Sequence, residues 1–151
     1  MKATIDTNIL LHLLRNSPVV PRIQQAFSEH GIDDTILLSI VSIGEIESIA
    51  LQRNYGKKKQ TRLKQLLQEF LVIPIKSLDL VEKYAEIDAY SQGNLADNPL
   101  PDGMSARNMG KNDIWIAATA AISNSVLFST DTGLNHLDGQ FFHFVHIDQT
   151  I

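Results

Sequence analysis

The feature that most constrains this chain is the alternation of short apolar, β-branched runs with segments whose apolar residues recur every three or four positions. The two periods belong to buried strands and to helices with one apolar face. Ala3 to Ile5 reads as a first strand, and Ile9, Leu10, Leu13 and Leu14 then share a helical stripe ending near Ser17-Pro18. Ile23, Ala26 and Phe27 predict a second helix with Gly31 as its C-cap, and Ile36 to Val41 reads as a buried strand. Helical spacing returns over Ser42 to Arg53 and Gln60 to Phe70. Leu71 to Ile75 follows as a strand, with Pro74 marking an edge or a strand end. Leu78 to Tyr90 is amphipathic, Gly93 to Gly110 is a loop, and Asn112 to Ser123 reads as a buried helix. Val126 to Ser129 and Phe142 to Ile147 complete the set of strands, with no repeat and no linker.

Strands separated by helices imply right-handed crossovers, a central parallel sheet and helices on both faces: a three-layer α/β sandwich. With 151 residues, 44% of them hydrophobic, the chain suits one domain spanning 1–151. A chain of that length buries roughly two-thirds of its unfolded surface. The absence of cysteine rules out disulfide, zinc-thiolate and cysteine-nucleophile chemistry and fits a reducing, cytoplasmic setting. The apolar stretch from Ile9 to Leu14 is interrupted by His12 and lacks a basic leader, so it predicts neither a signal peptide nor a membrane span.

In open parallel sheets, ligands bind beyond the carboxyl ends of the strands. Four acids fall there. Asp6 follows the first strand, Glu45 lies in the first turn after the second, Asp113 begins the Trp115 helix, and Asp131 follows Val126 to Ser129. Converging carboxylates repel one another by about 4 kcal/mol per close pair at an effective dielectric near 20. Protonation, a basic side chain or a hard divalent cation can neutralise such a cluster, and Mg2+ or Mn2+ suits oxygen donors best. Zinc is disfavoured, because His143 and His146 would point to opposite faces of a strand.

Each acid also has a purely structural explanation. Ser42 and Glu45 match a capping box, Asp6 matches the cap of the first helix, and Asn112 or Asp113 that of the late helix. Asp131 matches a turn residue in Asp131-Thr132-Gly133. The joint pattern, four acids at one sheet edge in a chain of ordinary acidity, is harder to attribute to capping.

Net charge is −4, so nucleic acid would not be held by global positive charge. Yet six of the thirteen Lys and Arg residues lie between Arg53 and Lys64, with no acid between Glu47 and Glu69. That local basic patch also reads as a solvated helix face.

Asp6-Thr7-Asn8 with its following apolar helix, Ser42-x-x-Glu45, Asn112-Asp113-Ile114-Trp115-Ile116-Ala117-Ala118-Thr119-Ala120 and Ser129-Thr130-Asp131 resemble the PIN-domain ribonucleases of the VapC toxin type. The resemblance spans almost the whole chain. It implies that Asp6, Glu45, Asp113 and Asp131 bind Mg2+ or Mn2+, that RNA phosphodiester bonds are hydrolysed, and that the chain is the homodimeric toxin of a type II toxin-antitoxin pair, partnered by its antitoxin. The chain departs from that family in having Leu134 where an aromatic residue often follows the fourth acid, and in its long loop from Gly93 to Gly110. Asn8, Ser129 and Thr130 are candidates to orient the acids or their waters, and Arg107 and Lys111 to meet phosphates at the rim, or else to be solvated loop charges.

Two alternatives stay open. One is an acid-pocket phosphatase or a receiver-type α/β domain. A dehalogenase-like phosphatase wants D-x-D after strand one, where Asn8 replaces the second acid. A receiver wants an acceptor Asp after strand three, where Ile75-Lys76-Ser77 offers none. The other is a catalytically silent or housekeeping nucleic-acid-binding module on a PIN-like fold.

Overall fold

The computed structural model describes residues 1–33 and 35–151. Five strands, β1 (Ala3–Ile5), β2 (Ile36–Ser39), β3 (Leu71–Ile73), β4 (Val126–Ser129) and β5 (Phe144–His146), form one all-parallel sheet in the order β3-β2-β1-β4-β5. The register pairs Ile5 with both Leu38 and Phe128, so the carboxyl ends of β1, β2 and β4 are level. The strand order reverses about β1, which opens a crevice between the ends of β1 and β4.

Among the described residues six helices connect the strands: α1 (Thr7–Arg15), α2 (Val20–Glu29), α3 (Ile40–Gln52), α4 (Lys57–Leu67), α5 (Leu78–Ser91) and α6 (Lys111–Ser123). A short 3-10 helix, Thr132–Leu137, follows β4. Side chains on the two faces of the sheet enter two cores. Ile5, Leu38, Val126 and Phe128 pack with α1, α2, α3 and α4, while Leu127 and Phe144 pack with α5, α6 and the 3-10 helix. Alternate residues of β4 thus serve opposite layers, as strand periodicity requires. None of the described helices is long and apolar enough to cross a membrane.

Three local expectations are corrected. The β2 run ends at Ser39 rather than Val41, because the Ser39 hydroxyl accepts the Val41 N–H at 3.3 Å and starts α3 two residues early. Ser42 is therefore inside α3, and Glu45 sits in its second turn, so the two do not form a capping box. At the late helix the N-cap is Gly110, and neither Asn112 nor Asp113 caps it. Pro74 lies just beyond β3, the edge strand that it was expected to mark.

Candidate active site

Asp6 is placed by the β1–α1 junction. It is the N-cap of α1, with Oδ1 accepting the Ile9 N–H at 2.9 Å, while its own N–H donates to Phe128 O at 3.3 Å. The Ser129 hydroxyl donates to the other Asp6 oxygen and accepts the Asp131 N–H at 2.9 Å. One buried serine at the end of β4 therefore fixes two acids relative to each other.

Asp131 caps the 3-10 helix, taking the Gly133 N–H on Oδ1 at 2.8 Å. A Cβ at Gly133 would come 3.1 Å from that oxygen, so the carboxylate folds back because the glycine is bare. Glu45 is reached from α1: Thr7 Oγ1 donates to Oε1 at 2.6 Å and lies 2.9 Å from Ser42 Oγ. Asp113, in the first turn of α6, accepts no hydrogen bond from a described residue.

All four acids line one cavity of about 460 Å3, together with Thr7, Asn8, Ile116, Thr130, Thr132 and Gln149. Among the described residues no ion pair reaches any of them, and no three acids or histidines are drawn tightly enough to form a ready-made coordination cluster. They surround the cavity instead of meeting at a point. Both oxygens of Asp113, Oδ2 of Asp131 and Oε2 of Glu45 are left without a donor among the described residues. No histidine lines the cavity.

Electrostatics registers the crowding. Asp6, 7% exposed, has its pKa raised from 3.8 to about 6, chiefly by burial, with the Asp113 and Asp131 charges adding to it against the hydrogen bonds from Ser129 and Ile9. Two pKa units amount to roughly 3 kcal/mol by which the folded protein opposes that charge. Asp113 is raised as well, by burial first and then by Asp131 and Glu45. Four carboxylates lining one cavity, two of them, Asp6 and Asp113, with their charge opposed by burial and by their neighbours, have the chemistry that a hard divalent cation satisfies.

The remaining candidates divide. Asn8 Nδ2 donates to Thr130 Oγ1 at 2.6 Å and to Gln149 Oε1 at 3.3 Å, and both partners line the cavity. Arg107 lines an adjoining cavity of about 220 Å3 that shares Asp113 and Asp131, and it donates to Gly133 O at 3.1 Å. Its backbone N–H donates to Ser91 O at 2.7 Å, which pins the returning loop to α5. Lys111 is exposed and lines neither cavity. Gln149 also lines the cavity and carries no signal in the sequence, since it belongs to a C-terminal segment without periodicity or motif.

The family model described as PIN domain matches residues 3–140. No curated protein matches the sequence significantly. Among solved structures, VapBC2 from Rickettsia felis bound to a DNA fragment from its promoter is similar at a TM-score of 0.71 and 16% identity, covering 98% of this chain and 100% of that one. A toxin-antitoxin complex from Klebsiella pneumoniae gives 0.68 and 19%, covering 98% and 99%. FitAcB from Neisseria gonorrhoeae gives 0.72 and 22%, covering 98% and 99%. At these identities the structural likeness speaks to the fold.

Proposed function

The chain belongs to the PIN-domain family, and from that premise we propose that it is a divalent-metal-dependent endoribonuclease, the toxin of a toxin-antitoxin pair. The observation that carries the proposal is the convergence of Asp6, Glu45, Asp113 and Asp131, from four separate segments, on one cavity at the carboxyl ends of β1, β2 and β4. Capping explains Asp6 and Asp131 only in part and explains neither Asp113 nor Glu45.

In this reading Asp6, Glu45, Asp113 and Asp131 hold Mg2+ or Mn2+. The bound cation supplies Lewis acidity toward the scissile phosphate and a lowered pKa for the attacking water. Ser129 keeps Asp6 and Asp131 at a fixed separation, and Thr7 holds one oxygen of Glu45 and leaves the other free for the cation. Asn8, through Thr130 and Gln149, closes the side of the cavity toward the C-terminal segment. Below about pH 6 a proton on Asp6 would oppose a cation held there. Hydrolysis adds water to phosphorus, breaks one P–O ester bond and leaves a phosphate monoester and a hydroxyl.

The antitoxin partner is supported by the structural relatives, one of them described as a toxin-antitoxin complex. A cytoplasmic homodimer acting through one nuclease domain completes the proposal. Incubating the purified protein with RNA in Mg2+, in Mn2+ and in EDTA tests the activity. Cleavage confined to the metal-containing samples is expected, and intact RNA in all three would leave the silent binding module standing. Expression of the wild type should arrest growth while Asp6→Ala does not. Equal growth with both would remove the toxin assignment and leave a housekeeping nuclease.

A further inference from the structure

The acid cavity lies at the N-terminal end of α1, and a second, larger cavity of about 790 Å3 lies at its other end. Leu14, Arg15, Lys57, Lys58, Lys59, Thr61, Arg62 and Gln65 line it, from α1 and from the α4 helix packed beside it. Leu14 is buried and the other seven lining residues are exposed, so the groove presents five cations over one apolar side chain and no acid. Lys59 is partly spoken for, its Nζ resting 4.1 Å over the Tyr55 ring. The N-cap of α4 is Gly56, which supplies no side-chain cap, so the first-turn N–H groups add their partial positive charge to the lysines.

The two cavities are related by α1. Asn8 lines the acid cavity and Arg15 lines the groove, and half-buried Leu11 and His12 fall between them at helical spacing on one face, beside the Thr7 side of α1 that bonds to α3. Seven helical steps take Asn8 to Arg15, or about 10 Å along the axis. A polyanion with a phosphate among the four acids can continue along this face and meet the cations.

We propose that this groove is a second binding site for the sugar–phosphate backbone of the same RNA, which it reads by charge and not by base. The inference rests on the ribonuclease reading above and adds where the substrate strand runs. It also accounts for a chain of net charge −4 that gathers cations in one stretch. More of the groove's lining is apolar than polar, which suits the sugars of the backbone, while its five cations suit the phosphates, and the polyglutamate competition below separates that strand from an acidic peptide.

The test uses labelled single-stranded RNA in EDTA, so that binding is read without cleavage. Lys57→Glu with Lys58→Glu reverses two groove charges and leaves the Lys59–Tyr55 contact in place. Acids suit the first turn of a helix, so the variant should fold. A control carrying Lys2→Glu and Lys83→Glu changes net charge equally outside the groove. The groove variant is expected to bind at least tenfold more weakly at low salt, and its slope of log affinity against log salt should be shallower by about 1.4, or two phosphates. The control should keep the wild-type slope. Equal slopes in groove variant and wild type would overturn the proposal even if the protein cleaves RNA. Loss of slope in a protein that never cleaves RNA would uphold the groove and sink the nuclease. Polyglutamate of equal charge displacing RNA from wild type as effectively as unlabelled RNA would assign the groove to an acidic protein segment instead.

Discussion

The two ends of α1 face opposite electrostatic problems. At Thr7 the helix enters a cavity of carboxylates, partly buried and without a described cation. At Arg15 it borders a groove of five cations, all exposed. Solvent screens the cations, so their mutual repulsion costs the fold little. Asp6 has no such relief, and its raised pKa records the cost. Stability has been given up at one end of the helix and not at the other, and charge removal should therefore act in opposite ways on stability and on function only at the acid end.

The largest effect is expected at Asp113. Asp113→Asn should lower RNA hydrolysis roughly 100-fold or more, the scale seen when one group stabilising transition-state charge is lost. Melting in EDTA should stay level or rise, because burial, Asp131 and Glu45 all oppose this charge. The helix-dipole contribution lost, about 0.3–1 kcal/mol, works against that gain. Mn2+ should raise the melting temperature of the wild type more than that of the variant. A variant that melts lower in EDTA, keeps the full Mn2+ response and still cleaves RNA would make Asp113 a structural residue.

The second test sets the acid cavity against the buried core behind it. His136, 2% exposed, is pushed down to about 4 by burial and by the Arg107 charge, so it folds neutral. Its contribution is fully present above 6.5 and is lost as pH falls toward 4, by roughly 3 kcal/mol. Asp6 runs the other way. Its folded pKa is about 6 against 3.8 unfolded, so stability is gained as pH falls through that window, again by roughly 3 kcal/mol. In EDTA the two nearly cancel in the wild type. Asp6→Asn, which keeps a competent N-cap, should gain stability above pH 6 and then lose it steeply toward 4. Urea unfolding across that range checks it, and parallel curves for wild type and variant would mean that Asp6 carries no electrostatic penalty.

How much of this contrast was legible in the sequence follows from how local each part is. The β1–Asp6–α1 junction was readable because the strand, the cap and the apolar stripe are contiguous. The basic stretch was readable as charge, but only the packing of α4 against the end of α1 makes it a groove. α3 starts two residues before the sequence predicts, because Ile40 and Val41 prolong an apolar run that one Ser39 hydrogen bond ends. The 3-10 helix after Asp131 is too short to show a period. Thr7 meets Glu45 across 38 residues and Gln149 meets Asn8 across 141, contacts that no local pattern encodes.

The smallest expected effect asks whether the two ends of α1 are independent. Thr7→Val removes the donor to Glu45 Oε1 and should cost about 1 kcal/mol in transition-state stabilisation, a several-fold loss of cleavage that Thr7→Ser restores. Arg15→Ala removes one groove cation and should weaken RNA binding by a similar factor, with a salt slope shallower by about 0.7. The two side chains share no partner and stand about 12 Å apart along the helix. Their effects on the rate at limiting RNA should therefore add to within about 0.5 kcal/mol. Measuring the double variant closes the cycle. Additivity is what separate sites on one strand of RNA require, whereas coupling beyond that margin would mean that loss of one end shifts α1 as a body, and that the groove acts by holding the acid cavity in shape.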